Sequence, residues 1–221
     1  MKYIFYFLLL VVSLNTNAQR VRAFTGLGVY LDNDFNNSTF LGAKIGTEFK
    51  ITSFLKPEIE INYHIGTLQD VEIRDSQGNL SNFFVKKVSA INYGFCPKIS
   101  IGDSDNEKGT GHFLILPRYT ISKIEATGNY TTINQSNLSK SIEEKEIITK
   151  WEHSLGIGIG IDVGVSNNYD TLALNLYYNG IDMGSALNSL RHNGTAKFST
   201  KNVIGFGINY YFSFKKRLEV K

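Results

Sequence analysis

The feature that most constrains this chain is a strict alternation of apolar with small or polar residues, recurring in eight segments of about ten residues each. A period of two belongs to a β-strand, which sends successive side chains to opposite faces. In the second segment Leu41, Ala43, Ile45, Thr47, Phe49 and Ile51 alternate with Gly42, Lys44, Gly46, Glu48 and Lys50. In the third, Ile59, Ile61, Tyr63 and Ile65 oppose Glu58, Glu60, Asn62 and His64. The sixth sets Trp151, Leu155, Ile157, Ile159, Ile161 and Val163 against Lys150, Glu152, Ser154, Gly156, Gly158, Gly160 and Asp162. The first (22–31), fourth (90–101, with Lys98 on the polar face), seventh (172–178) and eighth (204–214) follow the same rule. The fifth (113–122) is the weakest: its second face holds Leu114 and Leu116 beside Arg118, and Pro117 must interrupt a ladder bond.

Two architectures give this alternation. A soluble barrel of lipocalin type turns Ile and Leu inward and its charges outward, whereas a membrane barrel does the reverse. The apolar face runs nearly the full length of most segments and ends in aromatic residues, Phe49, Phe113, Trp151, Tyr178, Tyr210 and Phe212. Aromatic girdles around an apolar band are expected where a barrel meets lipid headgroups. The reading adopted is therefore all-β: a closed antiparallel up-and-down transmembrane barrel of about eight strands, with outer-membrane lipid as its surroundings. Its lumen then holds the charge network Lys44, Glu48, Lys50, Glu58, Glu60, His64, Lys98, Arg118, Lys150, Glu152 and Asp162. An eight-stranded barrel is just wide enough for its interior to be filled by side chains. Such a network either plugs the lumen or lines a gated ion path.

The rest of the chain fits an exported protein. Lys2 precedes an apolar run at residues 4–14, and a polar stretch ends at Ala18, which reads as a signal peptide over 1–18. The barrel is expected over 19–214, followed by a short basic periplasmic tail at 215–221. Cys96 is the single cysteine, so no intrachain disulfide forms. A net charge of +3 is too small for a nucleic-acid partner. Connections of alternating length suggest outer loops at 32–37, 67–84, 125–146 and 179–197, and inner turns at 52–57, 102–111 and 164–170. The long loops, rich in Asn, Ser and Thr, offer exposed surface to a possible ligand.

The exported precursor, eight alternating segments, short-turn and long-loop rhythm and aromatic last strand resemble the OmpA/OmpX-like small outer-membrane β-barrels over the whole mature chain. Gly207-Ile208-Asn209-Tyr210-Tyr211-Phe212 is similar to the C-terminal signal read by the barrel-assembly machinery in that class, although the chain continues beyond it into Lys215, Lys216 and Arg217. The resemblance implies a structural or surface-interaction role, with that machinery as a partner during biogenesis.

Chemistry is the competing class, since some outer-membrane barrels are lipid-modifying enzymes or proteases. The suggestive cluster is Glu152-His153-Ser154, but neighbours on a strand point to opposite faces, so His153 and Ser154 cannot form a dyad. Gly156-Ile157-Gly158-Ile159-Gly160 lacks the third glycine and the strand-turn-helix setting of a dinucleotide loop. His64, His112, His153 and His192 are scattered, and Asp103, Asp105 and Glu107 lack a calcium-loop pattern. No catalytic residue, cofactor or metal is expected.

Overall fold

A computed structural model describes residues 21–35, 38–102, 111–136, 141–165, 170–191 and 197–213. The expected signal peptide and tail, His192 and the acidic stretch 103–107 lie outside these residues.

The alternating segments form β1 (Val21–Leu31), β2 (Thr39–Phe49), β3 (Glu58–Thr67), β4 (Val71–Arg74), β5 (Leu80–Cys96), β6 (Ile99–Ile101), β7 (Gly111–Thr132), β8 (Ile142–Gly164), β9 (Thr171–Asn179) and β10 (Val203–Ser213). Eight of them close a ring of antiparallel neighbours in the order β1, β2, β3, β5, β7, β8, β9, β10, with β10 returning to β1. The short β4 and β6 continue β3 and β5 after breaks in the chain, pairing with β5 and β7. Pro97 stands at the second break, where it has no ladder bond to give.

The register fixes the shape. Cross-strand partners run from Thr171 through Tyr211, Phe24, Gly46, Glu60, Gly94 and Thr120 to Ser154. Thr171 itself pairs with Gly164, so one circuit advances ten residues along β8. Eight strands with that stagger tilt by about 40° and enclose a barrel of radius about 8 Å.

The faces are inverted relative to a soluble protein. Leu27, Ile45, Ile59, Leu155, Ile157, Leu174, Phe206 and Ile208 are 48–77% exposed, while Arg22, Lys44, Glu48, Glu58, Glu60, Lys98 and Asp162 are at most 5% exposed. That is opposite to the lipocalin arrangement.

Two expectations need correction. The weak fifth segment becomes one of the longest strands, β7, because Arg118, Thr120 and Ser122 keep its inner face in register with neighbours on both sides. The stretches expected as outer loops are largely ordered. Residues 67–84 contain the β4–β5 hairpin, and 125–146 continue β7 and β8 as a ladder that pairs as far as Thr132 with Ile142. In the loop after β9, a single turn α1 (Gly184–Leu187) brings Met183, Ala186, Leu187 and Leu190 into a buried cluster with Phe84, Val88, Ile124 and Ala126. That loop is tied down by Asp182 Oδ1, which accepts from the backbone N–H groups of Gly184 and Thr200, and by the Asn188 amide paired with Phe198.

Aromatic side chains fill space that glycines leave. Tyr30 lies against Gly205 and Gly42, where any Cβ would press on its ring. Gly205→Val should therefore lower stability by about 1–3 kcal/mol, the cost of overpacking a filled interior. Gly111→Ala, whose added Cβ would meet nothing closer than 3.6 Å, should change the urea midpoint of the refolded barrel little.

Candidate functional site: the charged lumen

The inward faces of β1, β2, β3, β7, β9 and β10, with the β5–β6 break, supply one continuous polar interior in two linked clusters. Near the end that carries the short turns, Glu48 is the hub. Its Oε1 accepts from Arg22 Nε at 2.8 Å, and Lys98 Nζ donates to its Oε2. Lys98 also donates to Glu58 Oε1 at 2.8 Å, an oxygen that accepts the Tyr211 hydroxyl at 2.8 Å as well. The Lys98 ammonium sits 3.9 Å from the centre of the Tyr211 ring, and Arg22 reaches Thr171 Oγ1 at 3.0 Å.

In the second cluster Arg118 Nε lies 3.0 Å from Glu60 Oε1, and Lys44 Nζ donates to the Tyr177 hydroxyl at 2.6 Å while standing 3.9 Å from Glu60. Tyr177 lies between the two cations, 4.3 Å from Lys44 and 4.7 Å from Arg118 at its ring centre. The Asn209 amide donates to both Tyr177 and Tyr211 and so joins the clusters. His112 and Asp162 pair at 2.8 Å beside the first cluster. Lys56, in the turn before β3, donates to Ser100 Oγ, and burial lowers its ammonium to about 8 although Glu48 and Asp162 pull the other way.

The structure thus brings together Lys44, Glu48, Glu58, Glu60, Lys98, Arg118 and Asp162. His64 is inward but belongs to an aromatic cluster, against Tyr30 and Phe40, with Asn62 on its Nε2. Three expected members fall elsewhere. Lys50 lies past the end of β2, half-buried, and Lys150 and Glu152 face inward on the part of β8 that rises beyond its pairing with β9. The cause is the stagger, which parity along a single strand does not reveal. Arg22, Tyr177, Asn209, Tyr211 and His112 join the network beyond the expected set: the first four lie on the inner parity of their segments, His112 stands one residue before the fifth, and three of the five carry no charge.

Ion pairs occupy the turn end of the lumen, and the apolar cluster beneath α1 covers the other, with Lys86 Nζ 4.5 Å from the Phe198 ring centre. Among the described residues no group of His, Cys, Asp and Glu converges as metal ligands would. His153 faces outward, 2.7 Å from the Tyr119 hydroxyl, and Ser154 faces in.

The aromatic residues expected as girdles all face outward or sideways at the barrel wall. Phe49, Phe113, Tyr210 and Phe212 ring the turn end. Tyr178 tops β9 with its hydroxyl on Asn202. Trp151 pairs with Lys123, ten residues along β7 from Phe113, or ~25 Å along the barrel axis.

No family model and no curated protein matches the chain. Among solved structures it is similar to Ail, the attachment invasion locus protein of Yersinia pestis, at 9% identity over 89% of this chain and 97% of that one, with a TM-score of 0.39. It is likewise similar to Neisserial surface protein A (11% identity, 90% and 97% covered, TM-score 0.35). A third is the N-terminal β-barrel domain of Pseudomonas aeruginosa OprF (15% identity, 89% and 98% covered, TM-score 0.32).

Proposed function

We propose that the chain is an integral outer-membrane β-barrel protein of a Gram-negative cell, with a structural or cell-surface interaction role and no catalytic chemistry. The observation that carries this reading is the inverted barrel: a belt of exposed Ile, Leu and Val around a buried, paired set of Lys, Arg and Glu. In water such a belt would drive association, whereas in hydrocarbon it is the required exterior, and closure leaves no sheet edge unsatisfied within the band. The ~25 Å between Phe113 and Trp151 equals the height of the apolar band in outer-membrane barrels.

With the start of β1 and the end of β10 at the turn side, in the periplasm, the β4–β5 and β7–β8 hairpins and the α1 loop project outside the cell. There they form a raised sheet fit to meet a surface partner. The lumen is a structural plug. Biogenesis would use the assembly machinery, reading the last strand through Tyr210 and Phe212.

The test is fractionation with a gel. The mature protein should sediment with the outer membrane and run faster unheated than boiled, because a closed barrel resists detergent. Recovery as a soluble periplasmic monomer of unchanged mobility would refute the proposal.

A further inference from the structure

Among the described residues, the lipid-facing wall carries a cluster of polar residues on β7 and β8. Near the hairpin end of the apolar band, β7 and β8 place Tyr119, Lys123, Trp151 and His153 on the same outer face, all exposed. Lys123 is the direct partner of Trp151 and His153 that of Ile121, so the ammonium and the imidazole stand diagonally, roughly 7–8 Å apart at the backbone. The Tyr119 hydroxyl lies 2.7 Å from His153 Nδ1, and the two rings stack with centres 6.1 Å apart.

This pair always keeps a donor in reserve. If the phenol donates to Nδ1, the imidazole proton is on Nε2 and points away from the pair; if Nδ1–H donates instead, the phenol O–H is left. Among the described residues neither group has another partner, and Lys123 has no ion pair. Glu125, the next outward-facing residue of β7, lies farther from the band and is not bonded to it. A lysine and a spare donor at the edge of hydrocarbon are costly unless an acceptor meets them.

We infer that Lys123, His153 and Tyr119 form a binding site for the phosphate of an outer-leaflet lipid. Lys123 supplies the charge and the His153–Tyr119 pair a directed hydrogen bond. Trp151, 60% exposed, packs beside the headgroup as interfacial tryptophans do. By the register Lys123 and Trp151 stand ~25 Å from the opposite girdle, where headgroup phosphates lie, with His153 and Tyr119 roughly 5 and 10 Å below them. This inference rests on the outer-membrane reading. Its phosphate could belong to a phosphorylated glycolipid of lipid A type or to a phospholipid.

The full mature protein, folded in detergent micelles doped separately with diphosphorylated lipid A, its dephosphorylated form or phosphatidylglycerol, would be analysed by native mass spectrometry for retained lipid. The parent should retain at least one phosphorylated lipid and not the phosphate-free one, and the preferred lipid identifies the source. Lys123→Gln and His153→Phe should each cut retention, Lys123→Gln by about tenfold, whereas Lys87→Gln, an outward lysine on β5, should not. Retention independent of phosphate, or equal losses from Lys87→Gln and Lys123→Gln, would overturn the site. Unheated gel mobility of the same samples reports the barrel separately, so failure of the site is not confused with failure of the fold.

Discussion

Replacing Glu48 by Gln should destabilise the folded barrel by about 3–5 kcal/mol, the range found when one partner of a buried ion pair is removed. Glu48 is 1% exposed and is the carboxylate shared by Arg22 and Lys98. Without its charge, Lys98 would keep Glu58 alone of its two carboxylates, and Arg22, 3% exposed, would lose its ion pair with Glu48. The loss comes from stranded charge more than from forfeited attraction, which gives the test its second arm. Glu48→Gln combined with Arg22→Met should recover part of the stability, since it removes the buried guanidinium whose carboxylate has gone. Urea unfolding of the barrel in lipid vesicles measures both, and a double variant no better than the single one would show that Arg22 does not depend on Glu48.

The second large effect concerns the opposite face of the wall. Ile157 is 52% exposed, pairs with Pro117 and Tyr178, and lies about midway up the apolar band by the register. Ile157→Arg should cost roughly 2–4 kcal/mol and lower the yield of inserted protein, because a guanidinium at that depth has no water and no partner. Ser154→Ala, three residues away on the inner face, should be mild. Folding yield into vesicles, scored by the heat-dependent gel shift, separates the two. Equal tolerance would mean that Ile157 does not face lipid.

These two residues also show what the sequence makes legible and what it conceals. Parity within a segment is enough to send Ile157 outward and Glu48 inward, because a period of two leaves only two faces. Strand closure and the polar lumen follow from the same pattern. Which inward residues meet is a different matter, because that depends on the ten-residue stagger around the ring. Glu48 meets Lys98 across the break at Pro97, and Tyr211 reaches Glu58 from 153 positions away. Lys150 has the right parity, but the stagger lifts its part of β8 beyond the ion pairs. The α1 loop was hidden for another reason: Met183, Leu187 and Leu190 show no strand period, and their burial arises only because the projecting ends of β7 and β8 give them a surface to pack on. Tyr177 and Tyr211 carry no charge, yet Tyr211 joins Lys98 to Glu58 through its ring face and hydroxyl, and Tyr177 stands between the cations of Lys44 and Arg118.

The central claim is that this barrel is inverted, with hydrocarbon outside and charge within. Nitroxide side chains placed singly at residues 154, 155, 157, 159 and 161 of β8, in a Cys96→Ser background with the protein in lipid vesicles, test it most directly through collision with oxygen, which concentrates in lipid, and with a water-soluble nickel chelate. Positions 155, 157, 159 and 161 should show high oxygen and low nickel contact, while the inward position 154 should show low oxygen contact. Nickel contact highest at the odd positions would place water against that face and contradict the account.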